Sequence, residues 1–279
     1  MAGRFSNSWA LVKASADVLR LDKELMIFPL LSGVATILVA ASFIAPIFLI
    51  GPEIFAEDGS ASYTAYAFGF LFYLVQYSVI FFFNAALVGA ALIRLDGGDP
   101  TVSDGLAIAS KRMGSILGYA ALAATVGMVL RFIAERAGFL GRIVTGFIGL
   151  AWTLTTYLTV PILVTKDIGP VDAVKESIGI FKRTWGEQVI GNFGMGWAVT
   201  LMAISWTIVC CLLLFLMAPG GVFFVAPLVG LMVLGYVFLA LFASALNGIY
   251  TAALYRYAIT GESGYFDANI MGNAFRPKK

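Results

Sequence analysis

QVIGNFGMGWAVTLMAISWTIVCCLLLFLMAPGGVFFVAPLVGLMVLGYVFLALFASALNGIYTAALY, residues 188–255, runs for 68 residues without one Asp, Glu, Lys or Arg, and its one strong turn signal is Pro219-Gly220-Gly221. A helix needs about 20 apolar residues to cross about 30 Å of hydrocarbon. The stretch therefore reads as two membrane spans joined by a tight turn, which fixes the solvent of this chain before any motif is considered.

Four further windows lack charge: residues 25–52, 59–93, 113–130 and 143–165. With the long run counted twice they make six spans. Backbone polar groups must be satisfied internally in hydrocarbon, and the windows lack the short alternating segments of a barrel, so the expected fold class is an all-α integral membrane protein. Composition agrees: 60% of the 279 residues are hydrophobic and 12% charged, against about 25% charged in an average soluble domain. Arg4, Lys13, Arg20 and Lys23 precede the first window. That window, at 28 residues, exceeds the roughly 7–15 of a signal-peptide core and reads as an uncleaved anchor.

Of the 18 basic residues, six spans with both termini inside leave only Arg131, Arg136 and Arg142 outside. The bias has the sign of the positive-inside rule and predicts a multi-pass protein of a cell membrane with both termini cytoplasmic. A net charge of +2 gives no argument for a nucleic-acid partner. Several windows are longer than a bilayer requires, so tilt, kinks or extension past the surface must absorb the excess. Pro29, Pro46, Pro161 and Pro227 are candidate kinks or end markers.

The segments before the first, third and fifth spans share a pattern. Phe5, Trp9, Val12, Ala16 and Leu19 recur at helical spacing, as do Val102, Leu106, Ala109, Met113 and Ile116, and Val171, Val174, Ile178, Phe181 and Trp185. Asp99-Pro100 and Gly169-Pro170 offer starts for the second and third. The expected unit is a cytoplasmic amphipathic helix followed by a transmembrane hairpin, used three times over about 1–93, 94–164 and 165–258 within a single domain spanning 1–279, with a short tail at 259–279. Arg20, Lys23, Lys111, Arg112, Lys182 and Arg183 fall near the ends of these segments and are candidate contacts for anionic lipid headgroups.

Chemistry is sparse. No histidine exists, which removes the commonest general base and metal ligand together. Cys210 and Cys211 are adjacent in an apolar helix and read as small hydrophobes. The span interiors hold no ionisable group, leaving Gln76, Asn84, Asn192 and Asn247 as candidate interhelical polar contacts. Gly261-Glu262-Ser263-Gly264 matches a short serine-protease pattern but lacks a base and reads as a turn. Gly97-Gly98-Asp99 falls short of an aspartyl-protease pattern and reads as a helix cap. The eight aromatics between Phe68 and Phe83 are spread around their helix and read as lipid contact and packing. No cofactor, metal or catalytic residue is expected.

Three stretches resemble a family of six-span bacterial membrane proteins catalogued as a domain of unknown function: Phe5-Ser6-Asn7-Ser8-Trp9, residues 105–127, and Ala253-Leu254-Tyr255-Arg256-Tyr257-Ala258 leading to Ala274-Phe275-Arg276-Pro277-Lys278. Ala173-Val174-Lys175-Glu176-Ser177 with Lys182-Arg183-Thr184-Trp185 is similar to a surface helix in membrane domains attached to some glycerophosphodiester phosphodiesterases. The first resemblance implies a compact membrane module and no catalytic residues. Together these readings predict a non-enzymatic module that organises membrane lipids or a membrane-protein partner, with a transporter or export component for an apolar or amphiphilic molecule as the alternative.

Overall fold

The computed structural model describes residues 2–50, 56–57, 60–61, 63–184, 194–217 and 221–266. These form α1 (Ala2–Leu21), α2 (Ile27–Ile50), α3 (Tyr63–Leu95), α4 (Val102–Lys111), α5 (Met113–Arg136), α6 (Gly138–Thr155), α7 (Thr159–Thr165), α8 (Pro170–Thr184), α9 (Gly194–Met217) and α10 (Val222–Thr260). A 3-10 turn, Lys23–Met26, leads into α2, and strands β1 (Ala56–Glu57) and β2 (Ser60–Ala61) pair antiparallel. Six stretches are long and apolar enough to cross a membrane: Lys23–Leu49, Tyr63–Leu95, Met113–Arg136, Gly141–Thr165, Ala198–Met217 and Val225–Thr260. Their hydroxyls are largely satisfied within their own helices, as where Ser78, Thr125, Thr153, Thr200 and Thr251 each donate to the carbonyl four residues back, the economical arrangement where no water is at hand.

α2 packs against α3, α5 against α6, and α9 against α10, while α3 touches α5, α7 and α10. The core is displaced to one end. The largest fully buried side chains include Leu25, Phe28, Leu87, Ile116, Ile162, Leu163, Leu246, Ile249 and Leu254, all within a few turns of the end from which α4, α8 and the segment after α10 depart. At the opposite end and along the flanks, large apolar side chains such as Phe48, Leu49, Phe147, Phe215 and Phe238 are exposed. An outer surface of this kind is suited to hydrocarbon rather than to water.

The buried end is a collar of short helices. α4 folds back on the last turns of α3, so that a Cβ built on Gly105 would lie 2.7 Å from the Ala86 carbonyl oxygen and 2.5 Å from the Phe28 ring. α8 folds back on α7 and α5, and α1 lies on α9 and α10. The buried faces share Val12, Leu19, Ala109 and Val174 with the stripes expected from sequence and are otherwise turned away from them. In α1 they are Leu11, Val12, Ser15, Val18 and Leu19, with Trp9 exposed; in α4 Gly105 and Ala109; in α8 Ala173, Val174, Ser177 and Ile180, with Val171 exposed. The physical reason is distance: Ser15, Gly105, Ala173 and Ser177 let each short helix sit close on its support and turn the buried face toward themselves, leaving Val102, Leu106, Ile178 and Phe181 half-buried against the core.

Span four is broken. Residues 156–158 form a turn between α6 and α7, because Pro161 has no N–H for the Tyr157 carbonyl and its ring crowds that carbonyl. α8 patches the gap: Ser177 Oγ donates to the Thr155 carbonyl at 2.6 Å and accepts from the Leu158 amide at 3.2 Å. Pro46 and Pro227, by contrast, sit inside continuous helices. α3, with 33 residues, would rise about 50 Å, some 20 Å more than hydrocarbon requires.

Candidate functional site

The polar face of the molecule is the collar, and its charges are mostly spent internally. Arg94, in the last turn of α3, bonds Asp99 and lies 3.5 Å from Asp22. Arg256, near the end of α10, bonds Asp96 at 2.8 Å and Glu262 at 2.9 Å. Lys166, just past α7, bonds Glu176 at 2.5 Å, and Arg112 bonds Asp167. Each cation sits near a helix C-terminus, where the helix dipole also favours it, and each ties neighbouring elements together. Burial holds the Asp22 carboxyl above its ordinary value, against the pull of Arg94. Glu176 beside Lys166 holds its ammonium above the usual lysine range.

The termini of α4 show how sequence writes this geometry. Gly97, at φ +88°, ends α3 with its amide on the Arg94 carbonyl. Thr101 caps α4, accepting from the Asp104 amide at 3.2 Å while its own amide donates to Asp104 at 2.9 Å, and those bonds hold the Asp104 carboxyl below its ordinary value. The cap expected at Asp99 is therefore Thr101, and Asp99 instead pairs with Arg94. Glu24 adds a second acceptor, taking the Val102 amide at 3.0 Å. Gly261 and Gly264, at φ +76° and +55°, form the turn read from Gly261-Glu262-Ser263-Gly264.

The candidate lipid contacts divide. Lys23, Lys111 and Lys182 are exposed and make no ion pair among the described residues, as does Lys13. Arg20 is exposed beside Asp17, 3.4 Å away. Arg112 is committed to Asp167, and the Arg183 side chain lies outside the described residues. Among the polar candidates, Asn247 accepts from the Tyr157 hydroxyl at 2.8 Å, joining α10 to the break in span four. Asn84 lies on α3 near the point where Gly248 of α10 meets Leu87, the Gln76 side-chain oxygen has no hydrogen-bond partner among the described residues, and Asn192 lies outside the described residues.

Two concavities were not foreseen. A groove of about 880 Å³ lies between α1, α9 and α10, with Trp9 at its edge and Trp206, Val209, Leu234 and Phe238 along it. Its polar atoms are committed: Ser205 to the Leu201 carbonyl and Trp206 Nε1 to the Met232 carbonyl. A second cavity lies between α3 and α5 at the far end. Below it, Tyr73, Tyr77 and Phe81 stack in series and meet Tyr119 of α5, with ring centroids 4.6–6.0 Å apart. Within the spread of α3 aromatics, Tyr73, Tyr77 and Phe81 thus form one packed row. Spacing four puts these three on one face, the signal that could have found them.

A family profile described as a family of unknown function, DUF6159, matches residues 63–265. The chain belongs to that family. The matched span takes in α3 to α10 and the turn after it, and so includes residues 105–127 and 253–258 but not Phe5–Trp9 or residues 274–278. No curated protein and no solved structure matches the chain, and the likeness of α8 to membrane domains of glycerophosphodiester phosphodiesterases has no counterpart in these findings.

Proposed function

We propose that the protein is a non-enzymatic multi-pass module of a bacterial cytoplasmic membrane, built of three hairpins each preceded by an amphipathic helix on the cytoplasmic side, and that it organises anionic lipid at that face. The observation that carries this reading is the sorting of cations at the collar. Arg94, Arg112, Lys166 and Arg256 are tied to carboxylates, whereas Lys23, Lys111 and Lys182, one at each short-helix segment, stay exposed without an ion pair among the described residues. Exposed Trp9, Leu21, Met113 and Val171 accompany them, the mixture of apolar and basic side chains that settles in a headgroup layer.

Each lysine near an anionic leaflet contributes about 1 kcal/mol. Replacing Lys23, Lys111 and Lys182 together by glutamine should lower the preference for phosphatidylglycerol over phosphatidylcholine by on the order of 100-fold at low salt, read as lipid retained in native mass spectrometry from mixed nanodiscs. An unchanged preference in the triple variant sinks the proposal. Carriage of an apolar or amphiphilic molecule is the second reading. Its support is the groove beside Trp9; against it stand Leu87, Leu246, Ile249 and Leu254, packed shut between α3 and α10.

A further inference from the structure

The cavity at the far end differs in kind from the apolar groove. It is a half-open hollow of about 640 Å³ between the first turns of α3 and the last turns of α5, whose lining includes Gly69, Met128 and Val129 on the apolar side and Tyr66, Tyr73, Arg131 and Glu135 as polar groups. The volume lies within the range of about 300–1,000 Å³ typical of small-ligand sites. Arg131 and Glu135 stand in the last turns of α5, just past the charge-free window 113–130, at the end of the bundle away from the collar.

The polar groups are arranged rather than scattered. Arg131 Nε donates to Glu135 at 2.8 Å and Nη1 to the Tyr73 hydroxyl at 3.0 Å. A guanidinium has five N–H donors, so these two bonds fix its plane and leave the other Nη edge uncommitted among the described contacts. The Tyr73 hydroxyl accepts from Arg131 and keeps its own proton to donate. Arg136 lies over the Phe132 ring at 3.5 Å, and Tyr66 meets the same ring edge-on at 6.5 Å. Among the described residues the lining carries one cation, Arg131, and one carboxylate, Glu135, beside its apolar side chains, with Arg136 just outside it.

We infer that this cavity binds a phosphate group carried by an amphiphile: the Nη edge of Arg131 and the Tyr73 hydroxyl donate to two phosphate oxygens, Glu135 orients the guanidinium, and the apolar part lies against Met128 and Val129. Arginine suits this role because its planar fork matches phosphate geometry. A mere interfacial anchor made of tyrosine and arginine would need neither the Glu135 brace nor a hollow between α3 and α5. The site is at the opposite end from the lysines at the collar, so it stands or falls separately from the function proposed above.

The test uses the full chain in nanodiscs, as wild type, Arg131→Met, Arg131→Lys and Tyr73→Phe, each first checked for an unchanged melting temperature. Arg131 is 64% exposed and so is not needed for packing. Native mass spectrometry reads retention of phosphatidylglycerol, phosphatidylethanolamine and the phosphate-free diacylglycerol; a separate titration with glycerol 3-phosphate and inorganic phosphate separates a lipid headgroup from a soluble phosphate. Arg131→Met should lose about tenfold or more in phospholipid retention, with Tyr73→Phe and Arg131→Lys intermediate and diacylglycerol unaffected. Loss confined to the glycerol 3-phosphate arm would assign the same phosphate site to a soluble ligand. Equal retention by wild type and Arg131→Met in every arm, or diacylglycerol held as well as phospholipid, overturns the inference.

Discussion

Arg94→Met should destabilise the bundle by about 3–5 kcal/mol, the cost of stranding a buried charge whose partner has been removed, and lower the melting temperature in detergent by on the order of 10 °C. The stranded group is Asp22, whose side chain is 4% exposed against 17% for Arg94. Asp99, the other partner of Arg94, is 92% exposed and is solvated by water when the arginine goes. Asp22→Asn added to Arg94→Met should recover most of the loss, since the double variant buries a neutral amide in place of an unpaired carboxylate. If the double variant melts no higher than the single one, the penalty lies elsewhere than in Asp22. The pH dependence has a definite sign. Burial raises the folded-state Asp22 above its ordinary value of 3.8, so its contribution is fully present below that value and is lost as pH rises through the folded pKa. Arg94→Met raises the folded value further and widens that window, whereas Asp22→Asn abolishes this part of the slope. Asp104 acts oppositely. Its lowered pKa gives stability that is present above 3.8 and lost as pH falls through the folded value.

Gly105→Ala should cost about 1–3 kcal/mol, the range for forcing one carbon into a closed contact. The added Cβ would meet the Ala86 carbonyl oxygen at 2.7 Å and the Phe28 ring at 2.5 Å. Phe28 is itself 1% exposed and has no room to swing away, and a backbone carbonyl inside α3 cannot move without its helix. α4 would have to lift from α3, loosening the collar that presents Lys111. Gly146→Ala is the control: nothing among the described residues lies within 4 Å of its Cβ, and the gain in helix propensity is at most about 1 kcal/mol. Similar melting temperatures for the two alanine variants would mean that α4 does not sit this close to α3.

Much of this architecture was readable in advance because hydrocarbon tolerates so few alternatives. The charge-free windows at residues 25–52, 59–93, 113–130 and 143–165 and the run at 188–255 correspond to the six long apolar helices. What stayed hidden depends on which residues meet across the chain. Asp22 and Arg94 read as ordinary flanking charges, and nothing local marks them as partners. The faces of α1, α4 and α8 were placed only in part, at Val12, Leu19, Ala109 and Val174, because apolar periodicity finds the bulky stripe, whereas close packing also selected Ser15, Gly105, Ala173 and Ser177. The break at residues 156–158 was half legible, since Pro161 pointed to it, but Ser177, which repairs it, lies 22 residues from the carbonyl it caps. The cavity at Arg131 was obscured by the reading of its cations as merely outside.

The arrangement of the spans is tested most directly by single-cysteine labelling with a membrane-impermeant maleimide, in a Cys210→Ala/Cys211→Ala background. Lys13→Cys, Lys111→Cys and Lys182→Cys should react together in inverted vesicles and be protected in intact cells, while Phe139→Cys, in the first turn of α6, should show the reverse. Lys13→Cys and Lys182→Cys labelling from opposite faces would contradict a six-span bundle with one charged collar.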